Sequence, residues 1–438
     1  MLHFYNREKE RALLERIAQK SLHTAQMTFV VGRRRVGKTA LLLHTFSNSD
    51  TLYFFIEKKN EVLLCQEFVN EIRYKFDIPI FGEMRTFKEV FAFLMHLSQE
   101  RPFTLIIDEF QEFQNLNASI YSEMQHIWDA NKDKSKLNLI LCGSVYTLMT
   151  KIFEDSKEPL FGRATAQLKL KSFDINTIKS IISDYEPHFT NEDLLAFYLF
   201  TGGVAKYVEL LVAERAFSLE AIVEIVFSEN SLFLDEGRNM LVSEFGKYYG
   251  NYFSILSLLA SSKTSRSEIE SILDINVGGF LDKLETEYSL IAKIRPIFAK
   301  PASRTVKYKI NDNFLNFWFR FIYKYRSVVE IGNFEYLKTI FKRDYTMYSG
   351  KILEQYFIEK MITEENLSQI GTYWEKGNQN EIDIVAVNAS EKFAILAEVK
   401  CQKERININT LKSKAQKLIE QHLKGYTIEY RALSIGEM

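Results

Sequence analysis

Three cysteines in 438 residues (Cys65, Cys142 and Cys401) are too few and too scattered for a disulfide framework, and no CxxC pair starts a zinc ribbon. That cysteine usage predicts a reducing cytoplasm. Net charge is almost lacking too: 56 Lys and Arg face 57 Asp and Glu, leaving −1. No global field therefore draws the chain to nucleic acid, and such contact has to come from a local patch. Nowhere do about 18 uncharged apolar residues run together, and the opening MLHFYNREKERALLERI is charged too early for a secretory signal. The expectation is a chain that neither crosses a membrane nor is exported by a standard signal. With 6 prolines and 18 glycines there is no long Pro/Gly/Ser linker, and no repeat or low-complexity tract appears. What is present is an ordinary globular balance, 46% hydrophobic and 26% charged, which excludes disordered and collagen-like chains. At roughly 150 residues per domain the length predicts about three domains.

Along the chain, Leu13, Leu14, Ile17 and Ala18 recur at helical intervals, and MTFVVG then reads as a buried strand. ALLLHTF, EVLLCQEFVNEIRYKF and FKEVFAFLMHLSQ read as helices, and TLYFFI, TLIIDEF and LNLILCGS as further strands. Uninterrupted apolar strands alternating with helices predict a doubly wound α/β parallel sheet. From about 174 to 247 the signals are helical, broken by Gly202-Gly203, as in a lid. Between 251 and 310, three short helices and a hairpin make a winged helix. After the aromatic run Phe314 to Tyr325, which reads as core packing, a final unit has the order α-β-β-β-α-β.

Gly32-Arg33-Arg34-Arg35-Val36-Gly37-Lys38-Thr39 fits GxxxxGK[ST] between a strand and a helix that Ala40 continues. Glycines there let successive N–H groups converge on phosphates at a helix N-terminus, where the dipole also favours negative charge. Lys38 is expected to reach the β- and γ-phosphates and the Thr39 hydroxyl to ligate Mg²⁺. Asp108 and Glu109 end the strand LIIDE, where open α/β sheets bind ligands. Asp108 is the expected magnesium partner through water, and Glu109 the base that accepts a proton from the attacking water. Ser144, after LILCG, is placed to sense the γ-phosphate or simply to end a turn. Arg163, in PLFGR, reads either as an arginine finger acting in cis or in trans or as a surface ion pair. Asn6-Arg7-Glu8 reads as an adenine-pocket lining or as an N-cap by Asn6.

In this order, GRRRVGKTALL, LIIDEF, LILCGS, PLFGR and TGGVAKYVEL resemble the archaeal-type ATPases on the AAA+/STAND side of the P-loop ATPases. The resemblance implies ATP, with Mg²⁺, as the nucleotide; no NKxD-type guanine motif follows LILCGS. The family lid reads GG-x-P-x-Y, whereas here Ala205 replaces the proline and Lys206-Tyr207 follow, so Lys206 is carried over as a nucleotide sensor. Family members also carry a winged helix and a C-terminal domain similar to the PD-(D/E)XK nucleases. The expected division is a P-loop ATPase core over 1–173, a helical lid over 174–247, a winged helix over 248–330 and a small α/β PD-(D/E)XK-like domain over 331–438.

Asp383, Glu398 and Lys400 match the D-(x)n-E-x-K signature with fourteen residues between the acids, and Glu354 matches an acid that this fold often adds. Glu398 and Lys400 fall on one face of a strand. Two carboxylates brought together this way can chelate Mg²⁺ while Lys400 steadies the attacking water; the alternative is simple pairing of Lys400 with Asp383. Two basic sets offer DNA-backbone contact: Lys293, Arg295, Lys300, Arg304, Lys307 and Lys309 on the hairpin, which reads alternatively as a protein-interaction face or a solvated hairpin, and Lys400, Lys403, Arg405, Lys412, Lys414, Lys417 and Lys424 beside the acids. Two functions follow. One is an ATP-hydrolysing switch that positions a winged helix and a nuclease-like domain on DNA. The other is a STAND-like signalling scaffold that oligomerises and uses an inactive nuclease fold to bind a partner.

Overall fold

A computed structural model describes residues 4–245, 249–300, 303, 305–377 and 379–438. They fall into two compact units, Tyr5–Ser172 and Phe173–Met438. No helix among the described residues is long and apolar enough to cross a membrane.

In Tyr5–Ser172 the strands are β1 (Gln26–Val31), β2 (Thr51–Phe55), β3 (Phe103–Asp108), β4 (Leu137–Gly143) and β5 (Ala166–Lys169), in the order β2-β3-β4-β1-β5. Every pairing is parallel, as expected of uninterrupted apolar runs. Alternate residues serve opposite faces: Leu105 and Ile107 join Phe29, Leu139 and Leu141 on one side, while Ile106 joins Val30, Ile140 and Cys142 on the other. Both faces are thus covered by helices. Because β4 lies between β1 and β3, its tip at Gly143 separates the loop after β1 from the acids that end β3. The fifth strand has no counterpart in the sequence reading. It is a four-residue edge whose single buried side chain, Leu168, makes no apolar run.

Phe173–Met438 starts with helices Ile175–Tyr185, Asn191–Thr201, Ala205–Ala213, Leu219–Val226 and Phe233–Phe245. The break at Gly202-Gly203 is real: both have positive φ, and a Cβ on Gly203 would collide with the Phe173 carbonyl. Helices Tyr249–Ala260, Arg266–Leu273 and Gly278–Thr286 then precede the antiparallel pair β6 (Ile291–Ile294) and β7 (Lys307–Ile310). The aromatic run lies in the core: Phe314, Phe317, Trp318 and Phe319 are fully buried, packed against Tyr207, Phe227 and Phe253. Residues Trp318–Ile322 form a π-helical turn.

One helix of 31 residues, Phe334–Glu364, follows and opens the final unit. Its Gly350 lies in mid-helix, where a glycine costs only about 1 kcal/mol, and the long apolar face carries the helix through it. Last come β8 (Gln369–Tyr373), β9 (Ile382–Asn388), β10 (Phe393–Val399), the helix Ile408–His422 and β11 (Thr427–Leu433). The sheet order is β11-β10-β9-β8, antiparallel except for β10 with β11.

Candidate functional site

β1 is buried from Met27 to Val31 and delivers the chain into a tight loop. Gly32 has no room for a side chain: a Cβ there would lie 2.6 Å from the Leu170 carbonyl and 3.2 Å from Val36. Gly37, with φ 94°, turns the backbone into the helix Lys38–Thr45. Lys38 is only 8% exposed, and its ammonium donates to the carbonyls of Gly32 at 2.8 Å and Arg33 at 3.0 Å. Burial pushes its pKa down, against the pull of Glu109 and Asp108 nearby.

The Thr39 hydroxyl donates to Asp108 Oδ2 at 2.7 Å, so the first helical turn after β1 meets the end of β3 across the tip of β4. Asp108 is buried, and the Tyr53 hydroxyl from β2 donates to the same oxygen at 2.9 Å. The Glu109 N–H donates to its other oxygen at 2.9 Å. Burial and the Asp108 charge hold the Tyr53 phenol protonated, and the Cys142 thiol on β4 is pushed well up for the same two reasons. Tyr53 was not among the expected residues. As one aromatic in an apolar strand, it carried no signal beyond facing the neighbouring strand's terminal acid.

Glu109 stands in the left-handed region at φ 54°, a conformation that costs a non-glycine residue about 1–3 kcal/mol and gathers at functional sites. Its carboxylate accepts from the Ser144 hydroxyl at 2.7 Å and from the Gln111 amide at 2.5 Å, and Arg34 donates to Ser144 at 3.4 Å. Gln111 is fully buried, and its own carbonyl oxygen has no hydrogen-bond partner among the described residues. Lys38, Thr39, Asp108, Glu109, Ser144 and Arg34 are thereby gathered at one end of the sheet. Gln111 is an addition, announced only by its position two residues after the acid.

Two other residues lie elsewhere. The Arg163 guanidinium is taken up by Asp129, at 2.9 and 3.2 Å, and by the Phe161 carbonyl at 2.9 Å. Asn6 does not cap the first helix. That position belongs to Arg7, whose N–H is accepted by the Asn6 side chain at 2.7 Å and whose guanidinium donates to the Lys171 carbonyl at 2.7 Å.

Residues 4–211 match a family described as an ATPase domain predominantly from Archaea. A Walker-type ATPase of Pyrococcus abyssi superposes with a TM-score of 0.55 at 19% identity, covering 72% of this chain and 96% of that one. The chain thus shares the fold of that ATPase, and its residues 4–211 are similar in sequence to the archaeal ATPase family. Residues 318–418 match a second family, described as archaeal and bacterial proteins of unknown function. An uncharacterized protein of Methanocaldococcus jannaschii is 27% identical over 407 residues, 91% of this chain and 87% of that one.

Further along the chain, Lys206 is paired with Glu209 at 2.9 Å. The C-terminal acids do converge. Ala397 of β10 pairs with Ile384 of β9, which sets Glu398 and Asp383 next along the ladder. Lys400 reaches Asp383 and Glu398, each at 3.4 Å; the Val399 N–H donates to Asp383 at 2.8 Å and Lys414 to Glu398 at 3.1 Å. Glu354 faces this group from the long helix, and burial, with Asp383 beside it, raises its pKa to about 8. Burial also raises the Asp383 pKa, against the Val399 N–H and Lys400. Among the described residues, however, no three His, Cys, Asp or Glu side chains gather closely enough to hold a metal ion.

Much of the basic charge is already paired. Lys307 meets Glu381 at 2.9 Å, Lys417 meets Glu375 at 2.7 Å, and Lys403 meets Glu437. Lys293 and Lys412 lie over the rings of Tyr308 and Tyr430. Arg304 falls outside the described residues.

Proposed function

We propose that the chain binds and hydrolyses ATP at residues 32–40 and uses the nucleotide state to position its C-terminal region on DNA. The observation that carries the ATPase reading is the hydrogen bond between Thr39 and Asp108. A hydroxyl on the helix after β1 and a carboxylate at the end of the non-adjacent β3 are the donor pair that suits magnesium, and they already share one place. Bound magnesium supplies neutralisation of charge on the β- and γ-phosphate oxygens. On this reading Lys38 leaves the carbonyls of Gly32 and Arg33 for phosphate oxygens, and the loop N–H groups from Arg33 to Ala40 orient the triphosphate. Glu109 takes the proton of the attacking water, but only after releasing Ser144 and Gln111, so the resting arrangement holds the base in check. Ser144, tied to both Glu109 and Arg34, is suited to report the γ-phosphate to them.

The DNA half of the proposal assigns residues 174–247 to a lid, 248–330 to a winged helix and 331–438 to a nuclease-like domain with Glu354, Asp383, Glu398 and Lys400. Three helices followed by a hairpin, and then the α-β-β-β-α-β order, support it. A second reading, the STAND-like scaffold with an inactive nuclease fold, is favoured by two observations: Lys400 lies between the acids, and several lysines of both basic sets are already paired. ATP turnover measured with and without duplex DNA separates the readings. The first expects stimulation by DNA, with metal-dependent nicking lost in Asp383→Ala. Indifference to duplex and inertness across Mg²⁺ and Mn²⁺ would leave the scaffold.

A further inference from the structure

A cavity of about 80 Å³ in Phe173–Met438 lies where the helix Tyr249–Ala260, β7, the π-helical turn and the long helix Phe334–Glu364 meet. Its polar lining includes Ser262, Thr264, Lys309, Arg320, Tyr348 and Lys351. Of the two inner groups Tyr348 is buried, 4% exposed, and the Arg320 side chain is 12% exposed. Arg320 is anchored by one nitrogen on the Ala260 carbonyl at 3.1 Å, and its Nε has no hydrogen-bond partner among the described residues. Neither has the Tyr348 hydroxyl. The two lysines are exposed, and Lys351 donates to the Ser262 hydroxyl at 2.9 Å.

Two buried unpaired donors in one cavity are unusual, because buried polar groups nearly always find a partner. The backbone agrees: π-helical turns are rare, appear frequently at functional sites, and here one sets Arg320. Charge points the same way. Among the described residues only Asp344 comes within ion-pair distance of Arg320, Lys309 or Lys351, at 3.8 Å, and Arg343 engages it more closely at 2.7 Å. The cavity has room for roughly two or three waters at about 30 Å³ each, enough for one small tetrahedral anion and too little for a base or a sugar.

We propose that this cavity binds a phosphate group, with Lys309 and Lys351 as its flanking charges and with small side-chain shifts turning the unpaired Arg320 Nε and Tyr348 hydroxyl to it as donors. Guanidinium suits a phosphate because its donors are planar and permanently charged. The phosphate comes either from a small phosphorylated molecule or from a nucleic-acid backbone, and in both cases only the phosphate enters.

The test uses the full chain carrying Lys38→Ala, so that the ATPase loop does not contribute, titrated calorimetrically with inorganic phosphate and with a short DNA duplex. One saturable phosphate site is expected, weakened at least tenfold by Tyr348→Phe and by Lys351→Gln. Tyr348→Phe removes a hydroxyl that has no protein partner, so its thermal midpoint should equal or exceed that of its parent. Duplex binding that phosphate competes away, and that Tyr348→Phe weakens, assigns the backbone source; phosphate binding with no effect of duplex assigns the small molecule. Absence of phosphate binding, or binding that neither variant changes, overturns the proposal.

Discussion

The chain sets a lysine among acids twice, with opposite results. At the parallel sheet Lys38 turns to two backbone carbonyls, which leaves Asp108 facing a hydroxyl and Glu109 facing Ser144 and Gln111. At the C-terminal sheet Lys400 stands between the carboxylates themselves. The first lysine is held apart from its acids by the loop that glycines 32 and 37 shape. The second follows Glu398 by two residues, one place past the end of β10, where its N–H still donates to the Leu433 carbonyl of β11, so the pleat brings it to the same face and into the place a cation would take. A lysine two residues from an acid in a strand therefore neutralises it by default. A lysine at the head of a helix after a glycine loop does not.

The largest expected effect breaks the first half of this comparison. Lys38→Ala should abolish measurable ATP binding in equilibrium titration, and affinity retained within a few-fold would remove the phosphate role from residues 32–39. Next, Glu109→Gln should lower ATP turnover by about 10²–10⁴ while binding stays intact, the range for losing a general base. A variant as active as its parent would pass the role to another group, and Gln111 would be the first to examine.

These two experiments concern residues that were legible in the sequence, because their chemistry is local. A gapless GxxxxGK[ST] and an apolar strand ending in Asp-Glu fix both the residue types and the backbone that carries them. Tyr53 and Gln111 were not legible, since what selects them is strand order: β2 beside β3, and Gln111 turned beneath Glu109 by a left-handed residue. The C-terminal acids were found by spacing, but spacing does not say whether the lysine or a metal fills the gap between them. β5 escaped because an edge strand with one buried residue leaves no apolar run.

A smaller effect sharpens the second half of the comparison. The Glu354 pKa, near 8 in the folded chain against about 4.5 when unfolded, means that the native state retains a proton which the unfolded chain loses. Its contribution is fully present below about pH 4.5 and is lost as pH rises toward 8. Glu354→Gln should therefore be neutral at pH 4 and gain on the order of 1–3 kcal/mol at pH 9 in denaturant unfolding. A gain independent of pH would mean that neither burial nor Asp383 raises the Glu354 pKa in the folded chain.

The smallest expected change concerns Arg163, whose two readings differ by orders of magnitude. Its pair with Asp129 is partly solvated, with side chains 25% and 40% exposed. Such pairs contribute about 0.2–1 kcal/mol, so Arg163→Ala should lower stability by no more than that. If the pair is its whole role, ATP turnover stays within a few-fold of the parent chain, and Asp129→Ala behaves the same way. An arginine finger is instead associated with about 10³–10⁵ in turnover. A loss of that size in Arg163→Ala, with Asp129→Ala unaffected or faster, would mean that Asp129 only parks the guanidinium until a nucleotide is bound.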